Sequence, residues 1–261
     1  AHGRILAISI FAPLDVPSFD RSNVDGFAVQ ASDTFGASED SPRQLVINKE
    51  ILATGQAPSE SVRSGTGTAI ATGAMLPRGA DAVIMIEYTD IRDGKLVLTR
   101  PVAPGANVTF AGTDIGMGEL VLHAGERLTA RETGVLAAMG IAQVPVIRRP
   151  RVVILSTGTE LLPPGAPMLP GMVHDSNSTV LADSVRELGG EPICPGIVPD
   201  EDAALNEALR QAMSADMILL SGGTSKGAGD LSYRAVARLG HPGILVHGVA
   251  LKPGKPLCLA A

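Results

Sequence analysis

Apolar positions follow two different rhythms along the 261 residues, and the change comes near Arg148-Arg149-Pro150. From Gln44 to Arg100, short Val, Ile and Leu runs are broken by frequent glycine, the pattern of β structure. Asp93-Gly94 stands between two such runs, and because a type I′ turn needs φ > 0 at both central residues, the pair predicts a hairpin. The segment Gly112 to Leu128 is glycine-rich and alternating. Thr129 and Glu132 then have capping-box spacing, in which each side chain satisfies a free amide at a helix start. Leu136 and Met139 share one face of that helix, and Gly140 predicts its left-handed stop.

Beyond Pro150, strand-like and helix-like runs alternate. Val152 to Leu155 predicts a buried parallel strand, and Val180, Val185 and Leu188 line a helix ending at Gly189. Leu205, Leu209 and Met213 line another helix, Met217 to Leu220 is the next buried strand, and Ile244 to Val249 and Leu257 to Ala261 are further strands. Such alternation implies a parallel sheet with helices on both faces and ligands at the carboxyl ends of its strands. The loops at Ser156 and Ser221 should therefore share one edge. Pro163 to Pro170, with four prolines, predicts a surface loop. The fold class is α/β plus β: a doubly wound parallel domain and a small β domain at residues 19–110.

Composition changes this picture in three ways. Only 3% of residues are aromatic and none is Trp, so the cores must be built from Val, Leu, Ile, Ala and Met. A formal charge of −6 argues against a duplex nucleic-acid footprint, so an anionic ligand must be met by a few local donors. The longest apolar runs fall short of the ~18 residues of a membrane span. Cys194 and Cys258 fit neither a redox nor a zinc spacing, which suits a reducing compartment, and no leader pattern opens the chain. A cytoplasmic location without membrane or nucleic-acid partners is the expectation. Both ends look cut from a longer protein.

Three strand ends carry candidate chemistry. Ser156-Thr157-Gly158-Thr159-Glu160 offers backbone amides to a phosphate and an acid to the same crevice, although ordinary turn geometry explains it equally well. Ser221-Gly222-Gly223-Thr224-Ser225-Lys226-Gly227-Ala228-Gly229-Asp230 combines amide and hydroxyl donors with Lys226 and Asp230, without the spacing of a Walker loop or dinucleotide fingerprint. Lys252-Pro253-Gly254-Lys255-Pro256 places two ammonium groups on a proline-stiffened loop. In the β domain, Asp25 before Gly26 and Thr72 before Gly73 are polar turn clusters, and the residues alone favour ordinary turns there.

Taken together, PSFDRSNVDGFAV, IATGAMLPRGADAVIMIEYT, GTDIGMGELVL, ILSTGTELL, HDSNS, LSGGTSKGAGD and GVALKPGKPLCLA occur in the order found in molybdopterin molybdenumtransferases, including the C-terminal domain of gephyrin. The chain resembles that family over essentially its whole length. The resemblance implies an elongated linking and dimerisation domain at residues 1–18 and 111–147, the inserted β domain at 19–110, and a molybdopterin-binding α/β domain at 148–261, with the C-terminal β domain missing. It implies a homodimer that works with other molybdenum cofactor biosynthesis proteins.

The implied reaction takes adenylated molybdopterin and molybdate as small-molecule substrates, releases AMP and leaves molybdenum on the dithiolene. Asp25, Thr72, Glu160, Asp230, Lys252 and Lys255 are the implied catalytic residues. Asp25, Asp114, Glu160 and Asp230 would hold Mg²⁺. The pterin would lie against Ser156, Thr157, Gly158, Asp175, Ser176, Asn177, Ser221, Gly222, Gly223, Ser225, Lys226 and Gly227, with Asp25 and Thr72 acting in trans. Two departures stand out: Thr159 replaces the family's usual Asp, and Lys226 replaces an apolar residue. SGGTSKGAGDLSY resembles a branch whose longer members are fused to a periplasmic-binding-protein-like anion domain. The alternative is a non-catalytic molybdopterin- or molybdate-binding protein, or a scaffold, of the same fold.

Overall fold

The computed structural model describes residues 1–222, 231–240, 242–252 and 257–261. The chain divides into two compact units, Ala1–Val146 and Ile147–Ala261.

The first unit is mostly β. Its strands are β1 (Ile10–Phe11), β2 (Arg21–Ser22), β3 (Gly26–Val29), β4 (Arg43–Leu52), β5 (Thr66–Ile70), β6 (Ala82–Met85), β7 (Thr89–Arg92), β8 (Lys95–Leu98), β9 (Val108–Thr109) and β10 (Leu120–Leu122). A six-stranded sheet runs in the order β6-β3-β5-β4-β8-β7. Asp93 and Gly94, at φ 48° and 73°, turn β7 into β8 as their sequence requires. Two clusters fill this region, one around Phe27, Val29, Ile84, Leu96 and Leu98, the other around Ala28, Leu52, Ile70 and Val83. The alternation of β3 residues between the clusters shows the sheet is covered on both faces. Gly26 starts β3 because a Cβ there would lie 1.9 Å from the Ile84 carbonyl oxygen.

A third cluster of this unit joins Leu6, Ile10, Leu122 and Leu128 to Leu136 of helix α1 (Ala130–Ala138) and to Met139, which caps it. The capping box forms as its spacing predicts. The Thr129 amide donates to Glu132 Oε2 at 2.8 Å, and the Arg131 amide to Thr129 Oγ1 at 3.3 Å. Gly140, at φ 73°, follows the helix.

The second unit is α/β. Its elements are β11 (Arg151–Thr157), β12 (Leu161–Leu162), β13 (Val173–His174), α2 (Asn177–Glu187), β14 (Glu191–Val198), α3 (Asp202–Ala212), β15 (Met217–Ser221), α4 (Leu231–Ala237), β16 (Ile244–His247) and β17 (Cys258–Ala260). β14, β11 and β15 form a parallel sheet in that order. Alternate residues of β11 serve opposite faces: Val152 and Ile154 pack with Ala182 and Val185 of α2, whereas Val153 and Leu155 pack with Leu205 and Leu209 of α3 and Ala235 of α4. Helices thus cover both faces, the doubly wound arrangement. Arg148 grips Asp216 with two guanidinium nitrogens, each at 2.5 Å, and the Arg151 amide adds a third bond at 2.7 Å. The start of β11 is thereby tied to the turn before β15.

Four details differ from the pattern of the sequence. Val180 and Leu188 are exposed, and the buried stripe of α2 is Ala182 and Val185, because small residues allow the helix to approach the sheet. Met213 lies past the end of α3, and Ala212 closes its apolar face instead. β15 is only half-buried, since it borders the sheet on one side only among the described residues. Finally, β16 pairs antiparallel with β17. Its backbone groups find their partners in that local ribbon, so among the described residues it is not a fourth parallel strand.

Candidate functional site

The carboxyl ends of β11 and β15 meet in register, with Ser156 opposite Ser221. At the next position Gly222 adopts φ 128°, and a Cβ on it would stand 2.3 Å from the Thr157 carbonyl oxygen. Only glycine lets the two strand-end turns close together in this way. The α2 N-terminus enters from the side, and Asn177 Nδ2 donates to Ser221 Oγ at 3.0 Å.

These elements surround a cleft of about 350 Å³ lined by Thr157, Glu160, Leu161, Val173, His174, Asp175, Ser176, Asn177, Ser221 and Gly222. The parallel pair β12–β13 supplies Leu161, Val173 and His174, with Leu161 opposite Val173. His174 Nε2 lies 2.9 Å from the Ala166 carbonyl oxygen, which anchors the proline-rich loop beside the cleft.

Polar groups at the inner wall are buried to an unusual degree. Ser156 and Thr157 are 1% and 3% exposed, and among the described residues neither hydroxyl completes a hydrogen bond of normal geometry. Asp175 is 5% exposed and ionisable. Burial works to raise its carboxyl, but the Ser178 amide, the hydroxyls of Ser156 and Ser178 and the Asn177 amide outweigh it and hold the pKa below the ordinary carboxylate value. The Ser178 amide is bonded to Oδ1 at 3.1 Å; the Ser156 hydroxyl faces the carboxylate without a hydrogen bond of normal geometry.

The proposed site residues do not all come together. Thr157, Glu160, Asp175, Ser176, Asn177, Ser221 and Gly222 line one cleft, with Ser156 and Gly158 adjoining it. Asp25 and Thr72 sit together in the first unit, the Thr72 amide and hydroxyl both donating to Asp25 Oδ1 at 2.7 and 2.9 Å. Those bonds, the amide's first, lower the Asp25 pKa, and they commit the Thr72 hydroxyl to Asp25 rather than to a ligand. Asp114 is exposed in the same unit, and Lys252 is exposed in a turn of the second. Gly223, Ser225, Lys226, Gly227, Asp230 and Lys255 lie outside the described residues. Among the described residues, no three His, Cys, Asp or Glu side chains gather as a metal site. Glu160 places one carboxylate at the cleft, and no hydrogen bond among the described residues engages it. Mg²⁺ commonly takes one or two carboxylates together with substrate phosphates, a requirement Glu160 fits.

Sequence reasoning missed Leu161, Val173 and His174 as cleft residues. Two-residue strands have no measurable period, and the only signal was their position on either side of a proline-rich loop.

Comparison with known proteins matches residues 1–140 to the family described as "MoeA N-terminal region (domain I and II)" and residues 153–261 to that described as "Probable molybdopterin binding domain". A protein of Mycobacterium tuberculosis named molybdopterin molybdenumtransferase 2 is 37% identical over 98% of this chain and 64% of its own length. A molybdopterin molybdenumtransferase of Nostoc is 39% identical over 100% of this chain and 59% of its own. The crystal structure of a molybdopterin biosynthesis MoeA protein from Pyrococcus horikoshii superposes with a TM-score of 0.91 at 41% identity, covering 100% of this chain and 65% of that one. The chain thus spans about three fifths of the length of these relatives. No helix among the described residues is long and apolar enough to cross a membrane.

Proposed function

The chain belongs to the MoeA family of molybdopterin molybdenumtransferases, and from that premise we propose that the protein of which it is part inserts molybdenum from molybdate into adenylated molybdopterin with release of AMP. The observation that carries this reading is the inner wall of the cleft. It lies at the carboxyl ends of two parallel strands and brings Asn177 and Ser221 together as a bonded polar pair, so a ligand with hydrogen-bonding edges would find matching groups there. A pterin is such a ligand.

In this mechanism the protein mainly positions its reactants. The Ser221–Asn177 pair holds the ring system, and the close packing of Gly222 against Thr157 excludes water beside it. Lys252, with Lys255, meets the anionic substrates, and both act through charge. Glu160 would hold a divalent cation, which supplies neutralisation of charge on the leaving phosphate. Asp25 and Thr72 act as one preformed pair, because the carboxylate is oriented by two bonds from the same residue. The protein is proposed to work as a homodimer in the cytoplasm, beside other proteins of molybdenum cofactor biosynthesis.

The test is AMP release from adenylated molybdopterin by the full-length protein, with and without molybdate and Mg²⁺. Molybdate-dependent release that falls at least tenfold on chelation is the expected result. Tight pterin binding without AMP would instead make the protein a binding module, and the lack of both would leave a scaffold.

A further inference from the structure

Asp175, at the cleft lining, is an acid that nearly vanishes from solvent, at 5% exposure, and its carboxylate is engaged by hydrogen-bond donors. It lies just ahead of α2, an 11-residue helix whose cap residue, Ser176, makes no capping bond with its side chain. The carboxylate of Asp175 takes over that task by accepting from the Ser178 amide three residues ahead. An anion is favourable at this end of a helix, where free amides carry partial positive charge. Its second neighbour is Ser156, at the end of β11. Two residues later Asn177 spans to Ser221, at the end of β15. One short segment thus bonds the helix to the end of β15 and lies beside the end of β11.

We propose that Asp175 is a positioning residue of the cleft, holding the first turn of α2 so that Asn177 fixes Ser221 at the cleft wall. This deepens, and rests on, the pterin reading of the site. A ligand phosphate has no place at the α2 N-terminus, because Asp175 already neutralises those amides with its own charge. The α2 end of the cleft receives an uncharged hydrogen-bonding edge. Asn177 and Ser221, bonded to each other in the cleft lining, offer the matching donor and acceptor.

The experiment replaces Asp175 in the full-length protein. Asp175→Asn keeps the volume but removes the charge, and it presents an amide nitrogen to donors. Amide hydrogen exchange should quicken tenfold or more at residues 176–179 and also at 220–222, while 152–155 in the sheet keep their protection. KM for adenylated molybdopterin should rise about ten- to a hundredfold, the range for a lost charge-assisted hydrogen bond, with kcat within twofold. Asp175→Glu, which keeps the charge, should recover part of the KM loss. Faster exchange confined to 176–179, or an unchanged KM, overturns the proposal. If the wild type shows no turnover, the proposed activity falls and the exchange pattern alone decides the role of Asp175. If Asp175→Asn loses protection across 152–155, Asn177→Ala decides it: the proposal requires faster exchange at 220–222 with the α2 start unchanged.

Discussion

Asp216 shows how much a single exposed residue can organise. Its carboxylate accepts two bonds from Arg148 and one from the Arg151 amide, and these, with Arg148 first, depress its pKa far below the ordinary carboxylate value. The Arg148 pKa rises for the same reason. A depressed acid contributes stability above its unfolded pKa of ~3.9, and that contribution fades as pH falls toward the folded value. Wild-type protein should therefore be more heat-stable than Asp216→Asn at pH 7, and the gap in Tm should close as pH falls below about 4. A constant gap across that range would mean that the hydrogen-bond geometry, not the charge, holds the two segments. Solvent screens the pair, so the effect should shrink with salt as well.

At the scale of elements, the clearest prediction concerns α1. The helix has nine residues, short enough that its start matters, and the capping box satisfies amides that would otherwise be free. Thr129→Ala should cost about 1 kcal/mol, measured by urea denaturation, and a change under 0.3 kcal/mol would show that Leu136 and Met139 alone hold the helix in place.

Elements of this kind were legible because their signals are local. The capping box, the Asp93-Gly94 turn and the uninterrupted run Val152 to Leu155 each specify a backbone state within a few residues. The helix faces were less legible. Val180, Leu188 and Met213 fit a helical stripe, but hydrophobicity does not tell which apolar residue meets the sheet, and alanines closed both contacts. The cleft was half legible. Ser156, Thr157 and Ser221 could be placed at strand ends by their strands, whereas the burial of Asp175 depends on where the proline-rich loop returns the chain. Nothing within a short window of sequence encodes that return.

At the scale of the whole molecule, surface rather than core carries the remaining expectation, a homodimer. Phe11 and Leu120 are cross-strand partners in the β1–β10 pair, yet they are 58% and 39% exposed, and Ile8 and Met117 are exposed close by in sequence. Paired apolar side chains left in water on a two-stranded ribbon gain by being covered, at about 25 cal/mol per Å² of area removed from solvent. A second copy of the chain is the occupant proposed, and a two-fold interface would bring this ribbon against the same ribbon or its neighbour. Sedimentation velocity at micromolar concentration should show the full-length protein as a dimer. Phe11→Asp should weaken association by roughly ten- to a hundredfold, since covering one such side chain contributes about 1.5–3 kcal/mol and a buried carboxylate would add a further cost. AMP release should fall in parallel with the dimer fraction and return at high protein concentration. Full turnover by Phe11→Asp at concentrations where it sediments as a monomer would show that one protomer suffices, and would remove the dimer from the mechanism while leaving the cleft in the second unit as it stands.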